Sequence, residues 1–287
     1  FHKGQETHFH VNQRMGGGTW VYLGTFDFDK GNSINNSVVL TNRSAHKGIV
    51  TADAVRFGGG MGNIVRGTSV SGLPRFLEGA RYYTQWAGAP RNVVSTSNGS
   101  NDYNDDINSR SLMTNWLAGG SSYLPHVKDG KMVPIELSLA VHSDAGVKSD
   151  GSLVGTLGIC TTQQGNSTLG DGLSRQVSKT LAQQLVANAK KDIEKSLNIS
   201  WQTRSVWDRN YSETRLPVVP SAILETLSHQ NFPDIKLGQD PNLKFTLARS
   251  IYKTILKYEA DMHHTRYVVQ PLAPNSFKIE YISSKKI

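Results

Sequence analysis

The chain has 287 residues, 37% of them hydrophobic, with 27 glycines and a formal charge of +8. That length accommodates one large domain or two, and no window reaches the ~18 uncharged apolar residues of a membrane span. A single cysteine, Cys160, excludes an internal disulfide and a Cys-rich metal site, and basic residues scattered in runs no longer than Lys190-Lys191 give no sign of a nucleic-acid patch.

The first residues, FHKGQETHFHV, already alternate like a strand in progress and do not begin with Met, so a longer protein with residues upstream is expected. Residues 1–66 read as all-β. TWVYLGTFDF (19–28) puts Trp20, Tyr22, Phe26 and Phe28 on one face at period two, and SVVLTN (37–42) and GIVTADAVRF (48–57) follow as further strands. Short strands between Gly/Asn turns predict a small β-sandwich. His8 and His10 share a face of the opening strand, an arrangement open to a metal or to plain exposure. The glycine-rich GGGMGN (58–63) reads as a linker, because the strand before and helix after that a phosphate loop requires are absent.

From about residue 67 the pattern changes. LPRFLEGARYYTQWAG (73–88) and DDINSRSLMTNWL (105–117) predict helices ending near glycine. PIELSLAVH (134–142), LVGTLGICTT (153–162) and PSAILETLS (220–228) read as buried strands. Residues 174–198 predict an amphipathic helix capped by Ser174, with the stripe Val177, Leu181, Leu185, Ala189, Ile193 and Leu197. Residues 240–262 predict another, with Asp240 as cap, Pro241 at the first helical position and Leu243, Leu247, Ile251 and Ile255 buried. Strands alternating with helices indicate an α/β domain over residues 67–262, a mostly parallel sheet flanked by helices. Residues 263–287 turn β-like and are expected to open a further domain. Asp102, Asp105 and Asp106 read as a polar loop with a helix cap, since no EF-hand spacing follows.

Two blocks carry a family likeness. LSLAVHSDAG (137–146) resembles the strand-end histidine motif of zinc-dependent N-acetylmuramoyl-L-alanine amidases, and PSAILETLSHQNFPD (220–234) resembles their late motif P-x-x-L-x-E-x-G-F-x-S-N-x-x-D. DDINSRSLMTNWL is similar to the R-x-x-x-A-N helix of the same family. GGGTWVYLGTFDF with GIVTADAVRF resembles the golvesin or xanthan-lyase accessory β-domain. The combination is similar to Bacteroides-type exported proteins labelled as xanthan lyases, in which that β-domain accompanies an amidase-like domain.

The resemblance implies a cell-wall hydrolase in which zinc-bound water attacks the lactyl–peptide amide of peptidoglycan. It makes His142 a zinc ligand and Glu225 the catalytic base and acid. A strand-end histidine is physically sensible, because α/β sites collect at the carboxyl ends of strands, and a carboxylate in the apolar AILETL is costly to bury unless it faces a cleft or a cation. A core histidine and a Glu225 ion pair to Arg204, Arg209 or Arg215 are the alternatives. The sequence departs from the family after Glu225, where Thr226-Leu227-Ser228-His229 replaces Gly-Phe; His229 is a candidate substrate contact or a surface residue. Asp144 is a candidate substrate contact, an orienting group for His142, or the start of an Asx-type turn. The family's first zinc histidine, on an early strand, has no counterpart here and is expected upstream of Phe1. Glu78 has a suitable place for the glutamate ligand, or is a salt-bridged helix residue. Zinc is thus the implied cofactor, peptidoglycan or another cell-surface glycan the partner, and the cell envelope or exterior the place. The rivals are a polysaccharide lyase and a non-catalytic wall-binding module.

Overall fold

The computed structural model describes residues 1–14, 20–21, 23–24, 26–57, 65–66, 69–70, 79–165, 167–269, 276 and 278. The expected linker 58–63, the first part of the 73–88 helix with Glu78, and most of the 263–287 tail lie outside them.

In chain order the elements are β1 (Val65–Arg66), β2 (Ser69–Val70), α1 (Ala80–Trp86), α2 (Arg91–Val94), α3 (Asp102–Ala118), β3 (Ser138–Asp144), β4 (Leu157–Cys160), α4 (Gln176–Leu197), β5 (Trp207–Asp208), α5 (Ser212–Arg215), β6 (Ser221–Ser228), α6 (Phe232–Gly238) and α7 (Pro241–Met262). β1 and β2 pair antiparallel. The other strands form one mixed sheet flanked by helices, in the order β3-β6-β4-β5. β4 and β5 run parallel. β3 and β6 run the same way, since the Ser138 amide donates to Pro220 O at one end and the His229 amide to Asp144 O at the other. The α/β expectation therefore holds.

Between residues 1 and 57 no strand forms among the described residues, where alternation predicts three; a lone bridge joins His2 and Gln5. The expected aromatic face survives as ring contacts instead. Phe26 lies 4.8 Å from the His2 ring and 6.0 Å from Phe9, and Phe28 lies 5.4 Å from Phe57. Period-two alternation identifies a face, but a strand also needs a neighbour to accept its backbone hydrogen bonds.

The chain divides into two compact units. The first comprises residues 1–140, 159–179 and 207–223. Its core packs Ala118, Leu124 and Val219 against Val127, Ile135 and Val218. α3 is capped by Asn101, whose side chain accepts from the Asn104 amide, and the side chains it buries are small or polar: Asp105, Ser109, Ser111 and Ala118. Asp105 accepts from the Ser97 amide at 2.8 Å and from the Ser95 and Thr96 hydroxyls. Burial alone would raise its pKa; those hydrogen bonds outweigh burial and hold it below the usual carboxylate value. The expected polar loop and cap is thus a turn locked onto a buried carboxylate. Asn115 bridges two backbone groups with its amide, donating to Leu216 O and accepting from Val218 N.

Cys160 sits in the same unit, fully buried at the end of β4. Burial first, and the neighbouring Asp208 charge second, push its thiol up to about 11. The thiolate is the reactive form, so Cys160 is expected to ignore a disulfide-exchange reagent at pH 8 in the folded protein. One equivalent should react on adding denaturant, read by thiol titration.

The second unit comprises residues 141–158, 180–206 and 224–287. Ala189 and Ile193 of α4, Trp201 and Leu243 make its core, with Leu153, Leu197, Ile199, Leu227, Leu237 and Leu247 packed around them. Leu181, Leu185, Ala189 and Ile193 are buried as the 3.6-residue stripe predicts. α7 begins as expected, Asp240 accepting from the Asn242 amide. Its buried stripe is rotated, however, running Leu243, Thr246, Ser250, Thr254 and Tyr258. Hydroxyls occupy that stripe because α4 supplies partners for them. Asn188 donates to Thr254 Oγ1, Ser196 and Thr246 share a hydrogen bond, and Lys253 reaches Asp192 at 2.7 Å. Gly158 is where β4 approaches α4: a Cβ there would lie 2.9 Å from both Ala182 O and a Val186 methyl.

Candidate functional site

The second unit holds the carboxyl ends of β3 and β6, and there the sequence motifs meet. β6 is fully buried from Ser221 to Leu224 and opens at Glu225. β3 is half-exposed from its start, with exposure alternating from Val141 onward, so the strand expected to be buried over 134–142 is not. As the first strand in the sheet order it has a neighbour on one side only, whereas β6 passes from core to half-exposed at Glu225.

His142 Nδ1 lies 3.8 Å from Glu225 Oε1, with side chains 31% and 12% exposed. That distance exceeds a hydrogen bond. The strands carrying them are tied one residue on, where the Thr226 hydroxyl donates to His142 O at 2.8 Å. The two residues that the sequence singles out most strongly are thus brought side by side.

His229 follows β6 and folds back over the end of β3. Its amide donates to Asp144 O, and its ring Nδ1 lies 3.1 Å from both the hydroxyl and the carbonyl of Ser143. Those contacts fix the imidazole by one nitrogen and turn the other to the outside. Asp144 Oδ2 pairs with Arg204 Nη1 at 2.6 Å and its Oδ1 accepts from the Ala145 amide at 2.7 Å. The acceptance is from the next residue rather than from the amide two residues on that an Asx turn uses. The other arginines weighed as partners of Glu225 are also placed: Arg209 lies over the Trp207 ring, and Arg215 Nε donates to Asn210.

The weaker candidates have surroundings of their own where they are described. Glu78 is outside the described residues. His8 is exposed and pairs with Glu6 at 3.1 Å. His263 caps α7 and approaches Glu259 at 3.6 Å, as a cation at a helix end should.

One set of residues was missed by sequence reasoning although it lies inside the quoted motif. Asp234 is fully buried. It accepts from the amides of Val154 at 2.9 Å, Gly155 at 2.8 Å and Ser228 at 3.3 Å, and from the Asn231 side chain. Asn231 in turn accepts from the Lys148 amide and donates to Ser152 O. Burial works against the Asp234 charge, yet these donors hold its pKa below the ordinary value. The pair ties the 146–155 loop to the segment that carries His229. Its signal was Asn-x-x-Asp directly after a strand, a spacing that suits one turn of helix.

A hydrolytic zinc site uses three protein ligands and leaves one position open. His142 and Glu225 supply an imidazole and a carboxylate suited to part of such a site. Among the described residues no further His, Cys, Asp or Glu joins them as a third member. No helix among the described residues is long and apolar enough to cross a membrane.

Residues 1–59 match the family model of the Golvesin C-terminal domain. No curated protein matches the chain. Among solved structures, it is similar to the CwlD amidase from Clostridioides difficile in complex with the GerS lipoprotein, at 18% identity over 56% of this chain and 64% of that one, TM-score 0.38. An N-acetylmuramoyl-L-alanine amidase from Clostridium difficile aligns at 14% identity over 57% of this chain and 87% of that one, TM-score 0.33. The N-acetylmuramyl-L-alanine amidase of Mycobacterium smegmatis aligns at 16% over 44% and 55%, TM-score 0.33.

Proposed function

We propose that this chain is part of a zinc-dependent cell-wall amide hydrolase of the N-acetylmuramoyl-L-alanine amidase type, working at the cell envelope or outside the cell. The observation that carries the reading is the His142–Glu225 pair, 3.8 Å apart at neighbouring strand ends, on the two motifs that resemble that family. His142 would hold the metal through an imidazole nitrogen, with the remaining ligands coming from outside the described residues. Zinc, when bound, would polarise the scissile carbonyl and acidify a water. Glu225 would take the proton from the attacking water and return it to the leaving amine. Its place at the end of β6, 12% exposed, sets it beside His142 at the mouth of the strand pair.

A second reading is a non-catalytic wall-binding module with the same fold. It is favoured by the donor set, since the described residues bring only two of the groups a catalytic zinc site needs together.

Metal analysis of the full-length protein separates the two. The amidase reading expects about one zinc per chain by analogy with single-zinc hydrolases, soluble muropeptides released from purified sacculi, and loss of both in His142→Ala. A zinc-free protein that binds sacculi equally well with either residue supports the module and removes the hydrolase.

A further inference from the structure

The first unit holds two arginines with no carboxylate to balance them. Arg175, just before α4, is 4% exposed. Its Nη1 and Nη2 donate to the carbonyls of Thr214 and Pro217, each at 3.1 Å, and its Nε is buried without a partner among the described residues. Arg215, half-buried, follows Thr214 at the end of α5. Its Nε donates to Asn210 at 2.6 Å, and the 165 turn packs on its stem, where a Cβ at Gly165 would lie 3.6 Å from Arg215 Cγ. The arginine ion pairs among the described residues belong to Arg81, Arg110 and Arg204, not to these two. The acids of the 207–215 segment are engaged elsewhere: Asp208 accepts from the Thr162 amide and hydroxyl, and Glu213 faces Arg110 at 3.4 Å. Burial, and then the Arg215 charge, draw the Arg175 pKa below its usual value.

A lysine in the place of Arg175 could shed its proton, but a guanidinium keeps its charge at neutral pH. A buried charge of that kind calls for a counter-charge, and two backbone carbonyls supply only dipoles. We propose that Arg215 and Arg175 form an oxyanion site that takes a divalent phosphate group, Arg215 binding it through its Nη fork and Arg175 supplying the second positive charge from the interior. The divalency follows from the count, since two uncompensated cations are balanced by a dianion and a guanidinium fork matches two phosphate oxygens. Ser221 Oγ donates to the same Thr214 carbonyl that Arg175 holds, which ties the pair to the first residue of β6, with Glu225 further along that strand. The site does not depend on the amidase reading.

The test titrates the full-length protein with inorganic phosphate, glycerol phosphate and acetate at fixed ionic strength, by calorimetry. Both phosphates are largely divalent at about pH 7.5 and should bind about 10-fold tighter than monovalent acetate, the worth of one further charge-assisted contact. Arg215→Gln should weaken phosphate by about 10-fold or more, and Arg215→Lys, which keeps the charge without the fork, should fall between. Both variants leave Arg175 and its carbonyl bonds in place, and circular dichroism checks that they are folded. Thermal unfolding gives a second readout, since phosphate should raise the wild-type midpoint and leave that of Arg215→Gln unmoved. Equal binding of phosphate and acetate overturns the proposal. So does phosphate binding that survives Arg215→Gln, or an effect that sodium chloride reproduces at the same ionic strength. Of the two phosphates, tighter binding of the free ion assigns the site to phosphate itself, and tighter binding of the ester to a phosphorylated ligand.

Discussion

Glu225→Gln in the zinc-loaded full-length protein should lower muropeptide release by about 10³-fold, the middle of the range that a positioned general acid and base contributes. The substitution keeps the shape of the side chain and removes only its capacity to carry a proton. Glu225 is 12% exposed and stands 3.8 Å from the His142 imidazole. The strand that carries it is fully buried from Ser221 to Leu224, and burying a charge has a cost that an exposed one avoids. Stability of the variant should accordingly be unchanged or slightly raised.

Three measurements on that variant divide the possibilities. Lost activity with zinc retained makes Glu225 the proton carrier. Lost activity with lost zinc makes it a ligand. Retained activity removes Glu225 from the chemistry and takes the amidase reading with it.

The elements carrying this site were legible because each had a strong period or a clear end signal. The helices at 176–197 and 241–262 were foreseen, the second with its Asp240 cap, and the strands ending at His142 and reaching Glu225 to within a few residues. What remained illegible had two physical origins. Short pieces such as α5 and β5 have too few residues to show any period, and they form because neighbours hold them: Ser111 donates to Ser212 O and Ile159 pairs with Trp207. The second origin is that polarity misleads about burial. Thr246 and Thr254 sit in the buried stripe of α7 because their hydroxyls find partners on α4 or on the α7 backbone. The Arg204 partner of Asp144 was illegible for another reason, as it lies sixty residues on in the sequence. Nothing local announces such a pairing.

Asp234 is the sharpest instance, and Asp234→Ala should be the most destabilising single change near the site. Three backbone amides and the Asn231 side chain converge on its carboxylate, and truncation would leave all four donors without an acceptor. A buried donor stripped of its partner costs about 1–3 kcal/mol. Water entering the vacated volume would recover part of that, so a net loss of about 3–4 kcal/mol is expected, close to the upper end for point substitutions. Urea denaturation of wild type and variant measures it directly. A loss below about 1 kcal/mol, the range of ordinary surface changes, would mean the network contributes no more than a solvated loop does.

The pH dependence provides the second check. The folded protein holds the Asp234 pKa below its ordinary value of 3.8, so its contribution is complete above that value and is lost as pH falls through the folded-state pKa. Asp234→Asn cannot titrate. The stability gap between wild type and Asp234→Asn should therefore be constant from neutral pH down to about 5 and should close at lower pH. Asp105 is shifted in the same direction but is common to both proteins, so it cancels in the comparison.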